Sequence, residues 1–171
     1  MKQGSNKFLI GIVIGIILLV SVAFLVVLRR PAPEYQAEDT PEGITHNYLL
    51  ALQEANYQRA FGYLSPTLEH PADLETFVED IEDSAWEFQL NQNASLAIES
   101  SEMTSGSRAT VSVRSTVFNN GGLFSGNPNS RSFKMRLENQ DGQWELVDGD
   151  LYWSYCWGSG DNCDENLRRV P

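Results

Sequence analysis

The chain has 171 residues, of which 23 are acidic and 12 basic, so its formal net charge is −11 at pH 7. Four basic residues lie at or before Arg30 and every acidic residue lies after it, so the rest of the chain carries −15. This charge argues against nucleic acid as a partner, because phosphate binding needs concentrated lysine and arginine, and it opposes contact with anionic lipid. The length beyond Arg30 is typical of one domain with one core.

An uninterrupted apolar run covers residues 8–28 and contains Ser21 as its one polar side chain. As an α-helix the run is about 31 Å long, which matches the roughly 30 Å hydrocarbon thickness of a bilayer. A cleaved secretory signal has a shorter core, of about 7 to 15 residues, that ends in small residues. Here the pattern Ser21-Val22-Ala23 lies inside the run. The sequence therefore predicts a transmembrane helix that contacts membrane lipid, after an N-terminus of residues 1–7.

The orientation of this helix is not decided by the basic residues that flank it. They are balanced between the two ends: Lys2, Lys7, Arg29 and Arg30. The positive-inside rule counts only such nearby residues, so the comparison is close to a tie. The pair Cys156 and Cys163 decides it, because two cysteines are easiest to explain in an oxidising compartment. We expect a single-pass protein of the cell membrane with a cytoplasmic N-terminus and an extracytoplasmic domain.

Gly11 and Gly15 form a G-x-x-x-G pair within the apolar run. Small residues at this spacing let two helix backbones approach closely, which would make a homodimer face. Glycine is also simply frequent in membrane helices, so both interpretations stay open.

The segment that follows is rich in proline and acid and predicts a flexible linker over residues 29–40. Thr40 then suits a helix N-cap, and Pro41 suits the first helical position. Apolar residues at three- and four-residue spacing predict the buried face of this helix: Ile44, Tyr48, Leu49, Leu52 and Ala55. A second helical piece contains Tyr57, Ala60, Phe61 and Leu64.

A third helix is predicted after Pro71. Its apolar side consists of Leu74, Phe77, Val78 and Ile81. Its acidic residues are Glu75, Glu79, Asp80, Glu82 and Asp83. Carboxylates could bind a metal, but long acidic stretches are common on exposed helix surfaces, so we predict a solvated face and no metal site.

After Trp86 the pattern becomes alternating, which predicts strands of a half-buried antiparallel sheet. The clearest strand covers residues 108–118, with its inward side formed by Ala109, Val111, Val113 and Val117. Asp141-Gly142 predicts a tight turn before the last strand. Helices first and strands afterwards is the α+β pattern. The long loop over residues 119–130 contains Leu123 and Phe124, which could form a lip over a pocket or pack back onto the sheet.

Several motifs together resemble the nuclear transport factor 2-like superfamily: Thr40-Pro41-Glu42, Tyr48-Leu49, Ala51-Leu52, Asn56-Tyr57, Leu64-Ser65, residues 108–113 and residues 141–146. The resemblance implies a domain over residues 41–150 in which helices pack on a curved antiparallel sheet, giving a cone. Members of this superfamily include isomerases, dehydratases, transport adaptors and many domains of unknown role, so the resemblance alone implies no activity.

Enzymes of this superfamily place Asp, His or Tyr groups inside the cone. This sequence has only His46 and His70, and neither lies on a strand that faces inward. The predicted inward strand positions are all apolar: Ala109, Val111, Val113, Phe133, Met135, Leu137, Trp144 and Leu146. A general base needs a proton acceptor within reach of the cavity, so we predict no catalytic residue, no cofactor and no enzymatic activity.

An extension over residues 151–171 goes beyond the superfamily pattern. A disulfide between Cys156 and Cys163 would close a small loop and stabilise the chain by about 2.5 kcal/mol. The C-x₆-C spacing without a nearby His argues against zinc. Tyr152, Trp153 and Trp157 either pack on the domain or form an exposed patch for a partner.

The function expected from these features is that of a non-catalytic, membrane-tethered extracytoplasmic module. It would bind a protein partner or a small ligand through the cone or the aromatic extension. The main alternative is a scaffold subunit of an envelope complex that resembles the inner-membrane scaffolds of type IV secretion. An isomerase- or dehydratase-like enzyme is the third alternative.

Overall fold

The computed structural model describes residues 4–28, 34–88, 94–117 and 129–157. The chain divides into two units, Met1–Glu34 and Tyr35–Pro171. The predicted α+β class is confirmed: an apolar N-terminal helix is followed by helices that pack on a four-stranded antiparallel sheet.

The first unit contains one helix, α1 (Gly4–Leu28). Within it, the stretch Phe8–Leu25 is long and apolar enough to cross a membrane, and its residues are exposed among the residues that the structure describes. The Ser21 hydroxyl donates to the carbonyl of Ile17 at 2.8 Å, so the helix satisfies its own polar side chain. A Cβ added at Gly11 or Gly15 would meet nothing within 4 Å. Both glycines are therefore open to close approach, and the homodimer face stays a prediction.

The second unit begins with four helices: α2 (Pro41–Gln53), α3 (Tyr57–Phe61), α4 (Leu74–Asp83) and α5 (Ala85–Phe88). The predicted start of α2 is confirmed, because the Thr40 hydroxyl accepts from the Gly43 amide at 3.1 Å and Pro41 follows it. The prediction for Ala55 is wrong. Ala55 adopts a left-handed φ of 54° after the end of α2 and is exposed, which turns the chain toward α3.

The amphipathic pattern of α4 is largely confirmed. Phe77 and Ile81 are fully buried, and Leu74 and Val78 are half-buried. The Asp73 carboxylate caps the helix by accepting from the Thr76 amide at 2.9 Å. Four of the five acidic residues are exposed as predicted: Glu75, Glu79, Glu82 and Asp83.

The sheet follows the chain order β1 (Ala94–Ser105), β2 (Arg108–Val117), β3 (Asn129–Gln140) and β4 (Gln143–Gly149), and every pairing is antiparallel. The predicted turn between β3 and β4 is confirmed, because Asp141 and Gly142 both have positive φ, 53° and 89°. These values suit the tight hairpin turn whose twist matches that of the strands.

Apolar side chains of the inward sheet face pack against the helices to form the core. The buried strand residues are Ala109, Val111, Val113, Phe133, Met135, Leu137 and Leu146. Trp144 is only partly buried and packs at the edge of this core. One inward position was missed, because the buried Ser115 interrupts the apolar series of β2.

Residues 35–40, predicted to be part of a flexible linker, are instead bound to the helices, and the second unit begins at Tyr35. The fully buried side chain of Asn47 bonds both backbone groups of Gln36, accepting from its amide at 2.7 Å and donating to its carbonyl at 2.9 Å. The Arg59 guanidinium lies 3.4 Å from the centre of the Tyr35 ring and donates to the Glu38 carboxylate at 3.1 Å. The composition predicted a linker because it shows no periodicity, yet side chains of α2 and α3 hold this segment.

We expect Asn47→Ala to reduce the free energy of unfolding by about 1–3 kcal/mol, because it leaves two backbone groups without their partner. Urea unfolding of the full-length protein in detergent micelles, followed by circular dichroism, measures this change. Gln58→Ala, at an exposed position of α3, is the control. Equal midpoints for the two variants would show that Asn47 does not hold residues 35–40.

Candidate functional site

The inward face of the sheet carries few polar groups among the described residues. The hydroxyls of Thr45 on α2 and Ser115 on β2 are buried and form no hydrogen bond of good geometry. Burial raises the pKa of the Tyr152 phenol, and the nearby Ser115 hydroxyl partly offsets that effect. The inward face is therefore mainly a packed apolar core with a small polar region around Tyr152.

Residues 151–157, which we call the tail segment, complete this core. All are buried except Tyr155. The Trp157 ring lies 5.1 Å from Phe77, 5.5 Å from Phe88 and 5.0 Å from Trp153, measured between ring centres. Of the two interpretations of Trp153 and Trp157, the structure therefore has packing rather than an exposed patch.

Tyr152 links the tail segment to the helices through its backbone. Its carbonyl accepts from the Tyr48 hydroxyl at 2.7 Å, and its amide donates to the Glu87 carbonyl at 3.2 Å. Its φ of 56° lies in the left-handed region. For a residue with a bulky side chain this conformation costs on the order of 1–3 kcal/mol, and the surrounding contacts must offset it. The ring also packs against Phe133, 5.5 Å away between centres.

Glu87 on α5 is the least expected polar residue of the core. It is 7% exposed, and its Oε2 forms no hydrogen bond with the protein. Burial raises the pKa of this carboxyl, although the backbone amide of Tyr155, which donates to it, opposes the shift. A raised pKa is the property expected of a carboxyl that burial separates from water.

A second polar group of side chains joins α4 to the tail segment. The Asp80 side chain is 14% exposed. Its carboxylate accepts from the Trp157 indole N–H at 2.7 Å. The same oxygen lies 2.8 Å from Nε2 of His70. Asp80 was predicted to belong to the solvated face of α4, and that prediction is wrong. His46, the other histidine, is half-buried on α2.

The sequence signal for Asp80 and Glu87 is that each directly precedes an apolar residue of the core, Ile81 and Phe88 respectively. The two acids are seven residues apart, on the flank of the stripe formed by Phe77, Ile81 and Phe88. Asp80 belongs to α4 and Glu87 to α5, and Ser84 lies between the two helices. Both acids contact the tail segment, so it lies along this flank of α4 and α5.

Other predicted site residues lie outside the described part of the chain. These are Leu123, Phe124 and Cys163. Cys156 is buried in the tail segment, and no described cysteine is a free thiol. Its pairing with Cys163 stays a prediction. Within the described ranges, no three His, Cys, Asp or Glu side chains come together as a metal site.

The fold and these contacts define a class of small α+β domain with a helical layer on one open antiparallel sheet. No family model matches the chain, and no curated protein matches it. Similar solved structures include a SEC-C motif-containing protein from Rhodopseudomonas palustris, with 18% identity, coverage of 68% of this chain and 81% of that one, and a TM-score of 0.47.

Two further solved structures are similar to this chain at a comparable level. An NTF-2-like protein of unknown function from Shewanella oneidensis MR-1 has 13% identity, coverage of 62% of this chain and 90% of that one, and a TM-score of 0.42. A ketosteroid isomerase-like protein from Erwinia carotovora atroseptica has 15% identity, coverage of 63% and 88%, and a TM-score of 0.44. Similarity at this level carries no argument about activity.

We expect Glu87→Gln to stabilise the protein at neutral pH and to leave its stability below pH 4.5, the ordinary value for Glu, nearly unchanged. Because the folded-state pKa is raised, the contribution of Glu87 is most favourable below the unfolded pKa and is lost as pH rises through the folded one. Urea unfolding of the full-length protein across this pH range measures the effect. Glu79→Gln, on the exposed face of α4, is the control. A Glu87→Gln variant that is less stable than the wild type at neutral pH would contradict the argument.

Proposed function

We propose that this chain is a single-pass membrane protein and that its α+β domain is a non-catalytic module that binds a protein partner or a small ligand. The observation that carries the proposal is α1, in which the stretch Phe8–Leu25 presents fourteen large apolar side chains that are exposed in the described part of the chain.

The free energy of exposing apolar side chains to water indicates that α1 is buried in an apolar environment. Burying one large apolar side chain is worth about 1.5–3 kcal/mol, so leaving fourteen of them largely in water costs on the order of 20 kcal/mol. The net stability of a domain is only about 5–15 kcal/mol. A bilayer is the cover that fits an apolar helix of this length.

The enzymatic alternative has one observation in its favour, which is the buried carboxyl of Glu87. General acid–base catalysis requires the carboxyl to lie within hydrogen-bond reach of a substrate atom. The unpaired Oε2 of Glu87 is enclosed by protein and Tyr155 occupies the other side of the carboxyl, so a substrate would have to displace the tail segment. This supports the binding module over the enzyme.

The proposed location places the domain outside the cytoplasm, with a disulfide between Cys156 and Cys163. The reason for this location is the pair of cysteines, which an oxidising compartment explains most easily. The scaffold alternative differs in one measurable property: a stable homo-oligomer of the full-length protein in detergent would favour it, and a monomer would favour the binding module.

We expect the double variant Val13→Arg, Ile17→Arg to leave the membrane fraction. The variant keeps twelve of the fourteen large apolar residues, which at about −0.3 to −0.6 kcal/mol each favour insertion by about 4–7 kcal/mol, and its two central arginines oppose insertion by about 5–7 kcal/mol. Alkaline extraction of cell membranes, followed by detection of the protein, measures the distribution. Val13→Leu, Ile17→Leu should remain in the membranes. If wild type and the arginine variant were both extracted by alkali, α1 would not be an anchor.

We expect the thiols of Cys156 and Cys163 to react with an impermeant reagent on intact cells only after reduction. The Cys156→Ser variant, which keeps Cys163, should label without reductant, whereas the buried thiol of Cys156 in the Cys163→Ser variant should label poorly. Labelling that appears only after lysis would put the domain in the cytoplasm and remove the argument for the disulfide.

A further inference from the structure

Large apolar side chains that remain exposed outside α1 concentrate around α5. In the described part of the chain they are Trp86 at 74%, Met103 at 56% and Tyr155 at 56%. Trp86 precedes Glu87, and the backbone amide of Tyr155 donates to the Glu87 carboxyl. The backbones of Trp86 and Tyr155 therefore both lie next to Glu87, one through the chain and one through a hydrogen bond. We call this pair the Trp86–Tyr155 surface.

The charge around this surface has one sign. Residues 34–88 contain thirteen acidic and one basic residue, whereas residues 94–157 contain seven acidic and five basic. Glu79, Glu82 and Asp83, which precede Trp86 along α4, are all exposed. Three of the four arginines of β2 and β3 are in ion pairs: Arg108–Glu138, Arg114–Glu99 and Arg136–Asp148. The negative charge is therefore concentrated on the helical side of the domain, next to Trp86.

We propose that the Trp86–Tyr155 surface binds a lysine- or arginine-containing segment of a protein partner. The inference rests on the proposed function as a binding module and names the chemistry of its partner. A cation is attracted to the face of an aromatic ring, and tryptophan gives the strongest such interaction. The exposed carboxylates of α4 add attraction for a basic segment at longer range and increase its rate of association.

Other occupants fit this surface less well. An acidic partner or an anionic lipid surface would be repelled by the charge of residues 34–88. A second copy of this chain would bring the same acidic face opposite its own, which is also repulsive. An uncharged apolar partner could cover Trp86, but it would leave the surrounding carboxylates without compensation.

The test uses the full-length protein in neutral phosphatidylcholine nanodiscs and a fluorescent synthetic peptide of alternating lysine and alanine. Anisotropy measures its affinity. We expect Trp86→Ala to weaken binding by about two- to fivefold, since it removes an exposed cation–π contact without changing the charge. Tyr155→Ala should also weaken binding, whereas Met103→Ala, on β1, should bind as the wild type does. A glutamate–alanine peptide of the same length should not bind.

Two results would overturn the inference. One is unchanged lysine-peptide affinity in Trp86→Ala, because charge alone would then account for binding. The other is equal binding of the glutamate peptide. Circular dichroism of each variant controls for folding, and Trp86→Phe, which keeps an aromatic face, should recover most of the affinity. Membrane anchoring is measured separately by alkaline extraction, so a failure of α1 as an anchor and a failure of this surface give different results.

Discussion

The buried hydrogen bond from the Tyr48 hydroxyl to the Tyr152 carbonyl joins two parts of the chain that are 104 residues apart. It connects the first helix of the domain to the tail segment, which follows the last strand along the chain. The Tyr152 amide also donates to the Glu87 carbonyl on α5. Both backbone polar groups of Tyr152 therefore hold the tail segment against the helices. The left-handed φ of Tyr152 follows from this constraint: the backbone must turn there to place Trp153 and Trp157 against the helices.

Once the tail segment is held in this way, it completes the core instead of extending from it. Phe77 and Phe88 on the helices are fully buried, and the Trp157 ring covers both of them. Asp80 and Glu87 supply the polar contacts along the same flank. Helices α4 and α5 therefore each provide one carboxylate that bonds the tail segment, and the exposed carboxylates of α4 add to the negative charge of the domain.

Local signals in the sequence predicted what depends on local interactions. Thr40 and Pro41 start α2, and Asp141-Gly142 makes the hairpin turn, because each effect acts within a few residues. The direction of the tail segment could not be predicted, because its aromatic residues suit a core and an interface equally well. The segment 35–40 was taken for a linker because no periodicity reveals a bond such as Asn47 to Gln36. Asp80 was predicted to be solvated because it is charged, although it lies next to the apolar residue Ile81 in the chain.

The same contacts separate the residues that stabilise the domain from those available for recognition. Within the tail segment, Tyr155 is the one residue whose side chain is exposed, and its own amide is bound to Glu87. Its backbone is therefore held by the core while its ring is presented to solvent. Trp86 has the same arrangement, because Glu87 and Phe88 anchor α5 in the core next to it. Aromatic side chains on an anchored backbone lose little conformational entropy when they bind, which favours them as contacts for a partner.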